Sequence, residues 1–545
     1  MTTSRELVIQ AVRCQKTERT PWVPFTGCHA GSLIDATATE YLQSADHVVR
    51  GLETAIQRYR PDGIPIVFDL QIEAEILGCQ LQWSNENPPS VTSHPLAEGK
   101  TLQELHIPRT DEGRIPIALE ATRRIREAHP DLALYGLITG PFTLALHLMG
   151  TMIFMKMFDN PDELGKTLEF CSRVGQQMAE YYLDNGADIV AIVDPMTSQI
   201  GPEQFTQFVT PYLKPIYERI HQKNGLASLF VCGHAQKNIE VMADSGPDNI
   251  SIDENIALEY VRDICLARNI SFGGNLQLTT VLLLGSELDA KKNAINCLEI
   301  GGERGFILSP GCDLPYATPP ANLEAIAAIV HDPYEREVAK TLESHEEVPQ
   351  VDLDMSDYGS SEKVMIDVIT LDSEGCAPCQ YMVQAVREVV PLFNGIVEWR
   401  EHRIKDPKAL VIMGAFLVRN IPTICIDGRI AFVSQIPPRE KLIEAIQQRI
   451  NEKLGQRIRS RHRTLYLLAD ESDQEQQLPL IEQALLETGL DTGDVEIKCY
   501  TPEEGCKHLP VAPASFPAII LTDCRIKSSG KLVSKELVKE WLRPQ

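Results

Sequence analysis

Short apolar runs alternate with longer helical segments over the first ~335 residues. The runs are Trp22–Phe25, Gly63–Phe68, Ala133–Thr139, Ile189–Asp194, Ala227–Cys232, Asn249–Asp253, Ile270–Gly274 and Gly305–Ser309. Most are nearly continuous in hydrophobic residues, the pattern of a strand buried on both faces. Between them, stretches such as Pro161–Asn185 and Pro202–Lys223 carry apolar residues at helical spacing. Strand and helix alternating eight times predict an α/β fold, a (β/α)8 barrel. A doubly wound open sheet is the competing architecture, but no glycine-rich dinucleotide fingerprint follows the first strand.

The alternation stops near residue 340. Over 341–362, Glu343, Glu346, Glu347, Asp352, Asp354, Asp357 and Glu362 surround Pro349 and Gly359-Ser360-Ser361, which reads as a solvated acidic linker. A second unit over 363–455 has the predicted order βαβαββα. Its first strand, Val364–Thr370, runs into Cys376-Ala377-Pro378-Cys379 and a helix, and Asp427-Gly428 marks a hairpin turn. A third unit over 456–545 repeats that order without a Cys-x-x-Cys, with Asp470-Glu471-Ser472-Asp473 at the corresponding strand-to-helix junction.

Composition narrows the function. The formal charge is −25 over 545 residues, which argues against nucleic-acid partners, since these require basic stripes. The segment after Met1 has no apolar leader core, and no apolar run reaches the length a membrane helix needs. A cytoplasmic enzyme with no membrane partner is expected. The 14 cysteines are scattered, so they read as buried thiols, metal ligands or redox pairs rather than as a disulfide framework.

Two of these cysteines end strands. Leu229-Phe230-Val231-Cys232-Gly233-His234 and Phe306-Ile307-Leu308-Ser309-Pro310-Gly311-Cys312-Asp313 share one design, an apolar run that stops at glycine and cysteine. In a closed barrel, Cys232 and Cys312 fall on the same C-terminal rim, where barrels place their chemistry. Two thiolates suit zinc, a catalytic zinc keeps three protein ligands and an open position, and His234 could supply the third. Asp194 and Asp253 end strands on that rim and could ligate the metal or support its ligands. The alternative is two loop thiols with unrelated roles.

Residue strings add a family resemblance. Asp69-Leu70-Gln71-Ile72-Glu73-Ala74-Glu75-Ile76-Leu77-Gly78-Cys79, Thr139-Gly140-Pro141-Phe142-Thr143-Leu144-Ala145, Gly311-Cys312-Asp313-Leu314-Pro315 and Thr318-Pro319-Pro320-Ala321-Asn322 resemble the uroporphyrinogen decarboxylase superfamily. They look most like its methylcobamide:coenzyme M methyltransferase branch. The resemblance implies a TIM barrel over 1–340 and a zinc held by a His-x-Cys pair and a distant cysteine. It also implies methyl transfer between a corrinoid, such as methylcobalamin carried by a separate corrinoid protein, and a small thiol. Cys232 and Cys312 match the two cysteines, whereas Phe230 stands where the histidine is expected. Asp69 matches the central aspartate of the decarboxylases, but the loop Thr26–Gly31 lacks their arginine. Decarboxylation, or corrinoid or tetrapyrrole binding without catalysis, are the alternatives.

The second unit resembles thioredoxin and glutaredoxin domains, which implies Cys376 as nucleophile, Cys379 as resolving thiol and Pro422 as a cis-proline facing them. The helix N-terminus supports that assignment, because it lowers the pKa of the first thiol. A thioredoxin-type reductant is the partner this implies. The pair is expected to exchange electrons with the barrel's substrate or with its metal thiols. The third unit looks like a degenerate thioredoxin-like domain.

Overall fold

A computed structural model describes residues 2–342, 358, 363–374, 376–461, 463–488, 495–509, 513, 515–521 and 526–542. Apart from residues 341, 342 and 358, the acidic linker lies outside the described residues. The chain forms two compact units, one of Met1–Tyr358 with Met365–Leu442 and one of Gly359–Val364 with Ile443–Gln545.

In chain order, the strands of the barrel region are β1 (Gly63–Pro65), β2 (Leu81–Gln82), β3 (Ser90–Val91), β4 (Ala133–Thr139), β5 (Ile189–Val193), β6 (Leu226–Val231), β7 (Asn249–Ile252), β8 (Ser271–Leu276) and β9 (Phe306–Pro310). Apart from the small β2–β3 hairpin, they form one seven-stranded sheet in the order β1-β4-β5-β6-β7-β8-β9. Every pair in it is parallel. The expected first strand, Trp22–Phe25, is reduced to a single parallel bridge between Trp22 and Leu308. Val23 N donates to Leu308 O (2.9 Å) on one side, and Asp62 N donates to Trp22 O (2.8 Å) on the other. This segment links β9 to the entry of β1 and closes a TIM-barrel-like sheet. Pro21 and Pro24 have no N–H to give to a ladder, which explains why so little of the segment pairs regularly.

Helix Ser4–Val12 starts at a Thr3–Glu6 capping box. Its Val8, Ala11 and Val12 join Ala133 and Ile189, the first residues of β4 and the start of β5, in one buried cluster. That cluster fills the barrel and continues up to Phe25, Phe68 and Phe230. The N-terminal end is thereby plugged, and the C-terminal rim is left for chemistry.

The same unit continues through β10 (Val364–Thr370), β11 (Val397–Arg403), β12 (Thr423–Ile426) and β13 (Arg429–Val433), with sheet order β11-β10-β12-β13. β12 is antiparallel to β10 and to β13. Asp427 and Gly428 both take positive φ (50° and 71°), as the hairpin turn between β12 and β13 requires. With helices Ala377–Val389, Pro407–Ala415 and Arg439–Arg461, the order is βαβαββα, as expected.

The second unit holds β14 (Arg463–Leu468), β15 (Val495–Tyr500), β16 (Ala518–Leu521) and β17 (Ile526–Ser529), in the order β15-β14-β16-β17. Asp470 caps helix Glu471–Glu487 by accepting from Asp473 N (3.0 Å). Among the described residues no single helix is long and apolar enough to cross a membrane; a bent pair, Pro141–Met149 with Met152–Asp159, passes by length and composition. The first helix of that pair is wholly buried in the protein.

Candidate active site

Three strand ends build the rim. β6 delivers Cys232, and the chain then turns through Gly233 at φ +84°, a conformation that favours glycine. Gly233 N donates to Asp253 Oδ2 (2.9 Å) just beyond β7, and Asp253 Oδ1 accepts from Asn255 N (2.9 Å) and Asn255 Nδ2 (2.6 Å). β9 delivers Gly311, where a Cβ would lie 2.5 Å from Glu254 N, and then Cys312 and Asp313. The outcome is a close pair: Cys232 Sγ and Cys312 Sγ are 2.9 Å apart, both half-buried.

Carboxylates surround this pair. Contact with Cys312 raises the Cys232 thiol well above the ordinary range, and burial and then Asp253 and Asp313 add to the effect. Burial also pushes Asp313 far up, and its Oδ1 has no hydrogen-bond partner. Burial, with Asp253 beside it, raises Glu254 to about 8 even though Leu278 N donates to it. Protonated Glu254 and Asp313 carboxyls and a neutral Cys232 thiol are the stable forms here near neutral pH.

The pair opens into a largely apolar cavity of about 270 Å³. Cys232, Glu254, Cys312 and Asp313 form part of its wall, and Cys376, Cys379 and Pro422 form another part. Cys376 and Cys379 are joined as a disulfide, and the Ile421–Pro422 bond beside them is cis. Cys376 occupies the N-cap position of helix Ala377–Val389, and Cys379 is fully buried.

Specific contacts hold the β10–β13 sheet over the barrel mouth. The buried Tyr381 ring lies 6.0 Å from that of His94 and 6.5 Å from that of His147, and its hydroxyl is 3.3 Å from His147 Nδ1. Asn87 Nδ2 donates to Asp372 Oδ2 (3.2 Å), Lys405 Nζ pairs with Glu86 (3.4 Å), and Ile436 N donates to Gln199 Oε1 (2.9 Å).

The remaining residues singled out from sequence take other positions. Asp69 is buried in an ion pair with Arg114, which also reaches Glu75 Oε2 (2.8 Å) and stacks 4.9 Å from Trp83. Asp194 accepts from Phe142 N (3.2 Å), Thr143 N (2.8 Å) and Thr143 Oγ1 (2.6 Å). It thus ties the start of helix Pro141–Met149 to the end of β5 and has its hydrogen-bonding capacity engaged there. His234 follows Gly233, and its buried Nδ1 has no partner. Sequence reasoning passed over Glu254, Asp313 and Arg114. A carboxylate directly after strand-end Asp253 was the available signal for Glu254, and the Gly-Cys-Asp string was that for Asp313.

The zinc ligand set can be tested on this geometry. Two soft donors are in place. Position 230 is a phenylalanine buried among the rings of Phe25 (5.2 Å) and Phe68 (6.0 Å), inside the barrel below the rim. Among the described residues no three His, Cys, Asp or Glu side chains are grouped so as to hold a metal ion. The residues as arranged do not fit the three-ligand centre.

A parallel barrel whose rim carries this Gly-Cys-Asp loop defines a class: the chain belongs to the uroporphyrinogen decarboxylase (URO-D) family, whose model matches residues 3–333. Within that class it is similar to methylcobamide:CoM methyltransferase MtbA of Methanosarcina acetivorans, at 28% identity over 59% of this chain and 96% of the relative. It is also similar to MtaA of Methanosarcina barkeri, at 27% identity over 60% and 97%. A uroporphyrinogen decarboxylase of Trichodesmium erythraeum is 25% identical over 49% and 76%. A solved methyltransferase from Methanosarcina mazei shares the fold, with a TM-score of 0.57, 24% identity, and coverage of 61% of this chain and all of that one.

Proposed function

We propose that this chain is a methyltransferase that moves a methyl group between a corrinoid and a small thiol at the barrel mouth. One observation carries the reading: two strand-end thiols and a carboxyl with a pKa near 8 meet in one largely apolar cavity on the rim. The names of the relatives, methylcobamide:CoM methyltransferases, support it. The corrinoid arrives on a separate corrinoid protein. The thiol sits in the cavity against Cys232 and Cys312.

In the thiol-methylating direction, the acceptor loses its proton to Glu254. The two groups are matched, since a free thiol titrates near 8.5 and Glu254 near 8. The thiolate sulfur then attacks the methyl carbon in line; the S–C bond forms as the Co–C bond breaks, and the electron pair stays on cobalt. Held neutral, Cys232 offers a weak S–H donor to the developing thiolate. No step passes through zinc, because its ligand set is incomplete. The Cys376–Cys379 unit is a thioredoxin-like redox module in this proposal. Decarboxylation is the weaker alternative, because Arg114 already neutralises Asp69.

The test is methyl transfer from methylcobalamin to a panel of thiols by the fully reduced protein, read as loss of the Co–C absorbance. Thiol-dependent turnover that falls about 100-fold or more in Glu254→Gln is expected. Corrinoid binding with no turnover for any thiol would overturn the proposal.

A further inference from the structure

The barrel rim holds two thiols in contact, no third metal ligand is assembled with them among the described residues, and a disulfide lines the same cavity. Metal binding does not account for that combination, and thiol–disulfide exchange does. We propose that Cys376–Cys379 is the redox partner of Cys232 and Cys312, and that it returns the barrel pair to thiols after oxidation. The proposal deepens the methyltransferase reading and rests on it only for the reason the barrel pair must stay reduced: a Cys232–Cys312 disulfide has no S–H to offer the acceptor.

The chemistry balances. A peroxide oxidises the barrel pair: two thiols give up two electrons and two protons, the S–S bond forms, and the peroxide leaves as water. Cys376, at the helix N-cap where a thiolate is favoured, attacks one barrel sulfur. The barrel S–S bond breaks, and its other sulfur leaves and takes up the proton Cys376 lost. Buried Cys379 then attacks Cys376, closes the Cys376–Cys379 disulfide and releases the second barrel thiol with its proton. Cys376 and Cys379 lie within disulfide distance of each other, and Cys232 and Cys312 are unbonded. An external dithiol, the class of reductant that thioredoxin-like modules use, resets the cycle.

Tyr381 gives the exchange its address. It is buried in the same core cluster as the barrel helices and stacks on His94 and His147, only two residues past Cys379. The dithiol is therefore held at this mouth.

The experiment uses the full chain, reduced, freed of reductant and treated with one equivalent of hydrogen peroxide, followed by peptide mapping of disulfides. Wild type should carry Cys376–Cys379 and free barrel thiols. Cys376→Ser should retain a Cys232–Cys312 disulfide, and an added dithiol protein should reduce it about tenfold or more slowly than it reduces the barrel disulfide of wild type oxidised with two equivalents. Cys379→Ser should trap Cys376 on Cys232 or Cys312 within one chain. Absence of that cross-link in Cys379→Ser, or equally fast reduction of the barrel disulfide in Cys376→Ser, would overturn the proposal. No arm measures methyl transfer, so this inference and the methyltransferase reading fail separately.

Discussion

Glu254 shows how a single buried residue sets both chemistry and stability. Burial, with Asp253 beside it, raises its pKa from the ordinary 4.5 to about 8. As the base for the acceptor thiol, it should make kcat rise with pH through about 8 and level off above, and Glu254→Gln should abolish that inflection. The stability sign runs the other way. The folded protein holds the proton more tightly than the unfolded chain, so this stabilisation is complete below about 4.5 and is lost as pH rises through about 8. Melting curves should show Glu254→Gln gaining on wild type between about pH 5 and pH 8.5. A constant difference across that range would contradict the assignment. The cysteines were legible in the sequence because strand-end Gly-Cys strings are conspicuous. Glu254 was not, because its raised pKa comes from burial beside Asp253, and one-dimensional spacing carries no burial.

Asp194 acts at the scale of an element. It accepts from Phe142 N, Thr143 N and Thr143 Oγ1 at the start of helix Pro141–Met149. Asp194→Ala strands buried donors and should cost on the order of 1–3 kcal/mol or more of stability in a denaturant titration. Gly140 leaves no space for a side chain, because a Cβ there would strike the Asp194 carboxylate, and Gly140→Ala should be destabilising for the same reason. Strands buried on both faces were read from sequence to within a residue or two, apart from β1, which ends at Pro65 rather than Phe68, and β4 over Ala133–Thr139 matches throughout. Trp22–Phe25 was overcalled, since prolines leave it only one bridge. The β2–β3 hairpin was missed because strands of two residues have no readable alternation.

At the scale of the whole molecule, Tyr381 anchors the β10–β13 sheet to the barrel, where Cys376 and Cys379 line the same cavity as Cys232 and Cys312. Tyr381→Ala removes a fully buried aromatic, a loss of about 3–5 kcal/mol where the site cannot collapse. It should loosen the sheet from the mouth and speed alkylation of Cys232 and Cys312 by a bulky maleimide; unchanged rates would show that the sheet does not shield them. Nothing in the sequence pairs Tyr381 with His94 and His147, which lie in a separate predicted domain. This contact between two regions predicted as separate domains was therefore illegible, although the order of elements along the chain was not.

The zinc expected from the family string depends on whole-site assembly too. With Phe230 inside the barrel, protein freed of weakly held metal by brief chelation should retain no stoichiometric zinc. Zinc lost on Cys232→Ala or Cys312→Ala, but retained by wild type, would restore the metal centre.

The central claim is that Cys232 and Cys312 line a methyl-transfer site that works as a dithiol. The most direct measurement is the rate of thiol-dependent demethylation of methylcobalamin by the full chain with its barrel pair mapped as reduced or as disulfide. Thiol-dependent turnover is expected for the reduced protein, with a fall of about tenfold or more on oxidation that an external dithiol reverses. Equal rates in the two states, or no turnover in the reduced state, would contradict the claim.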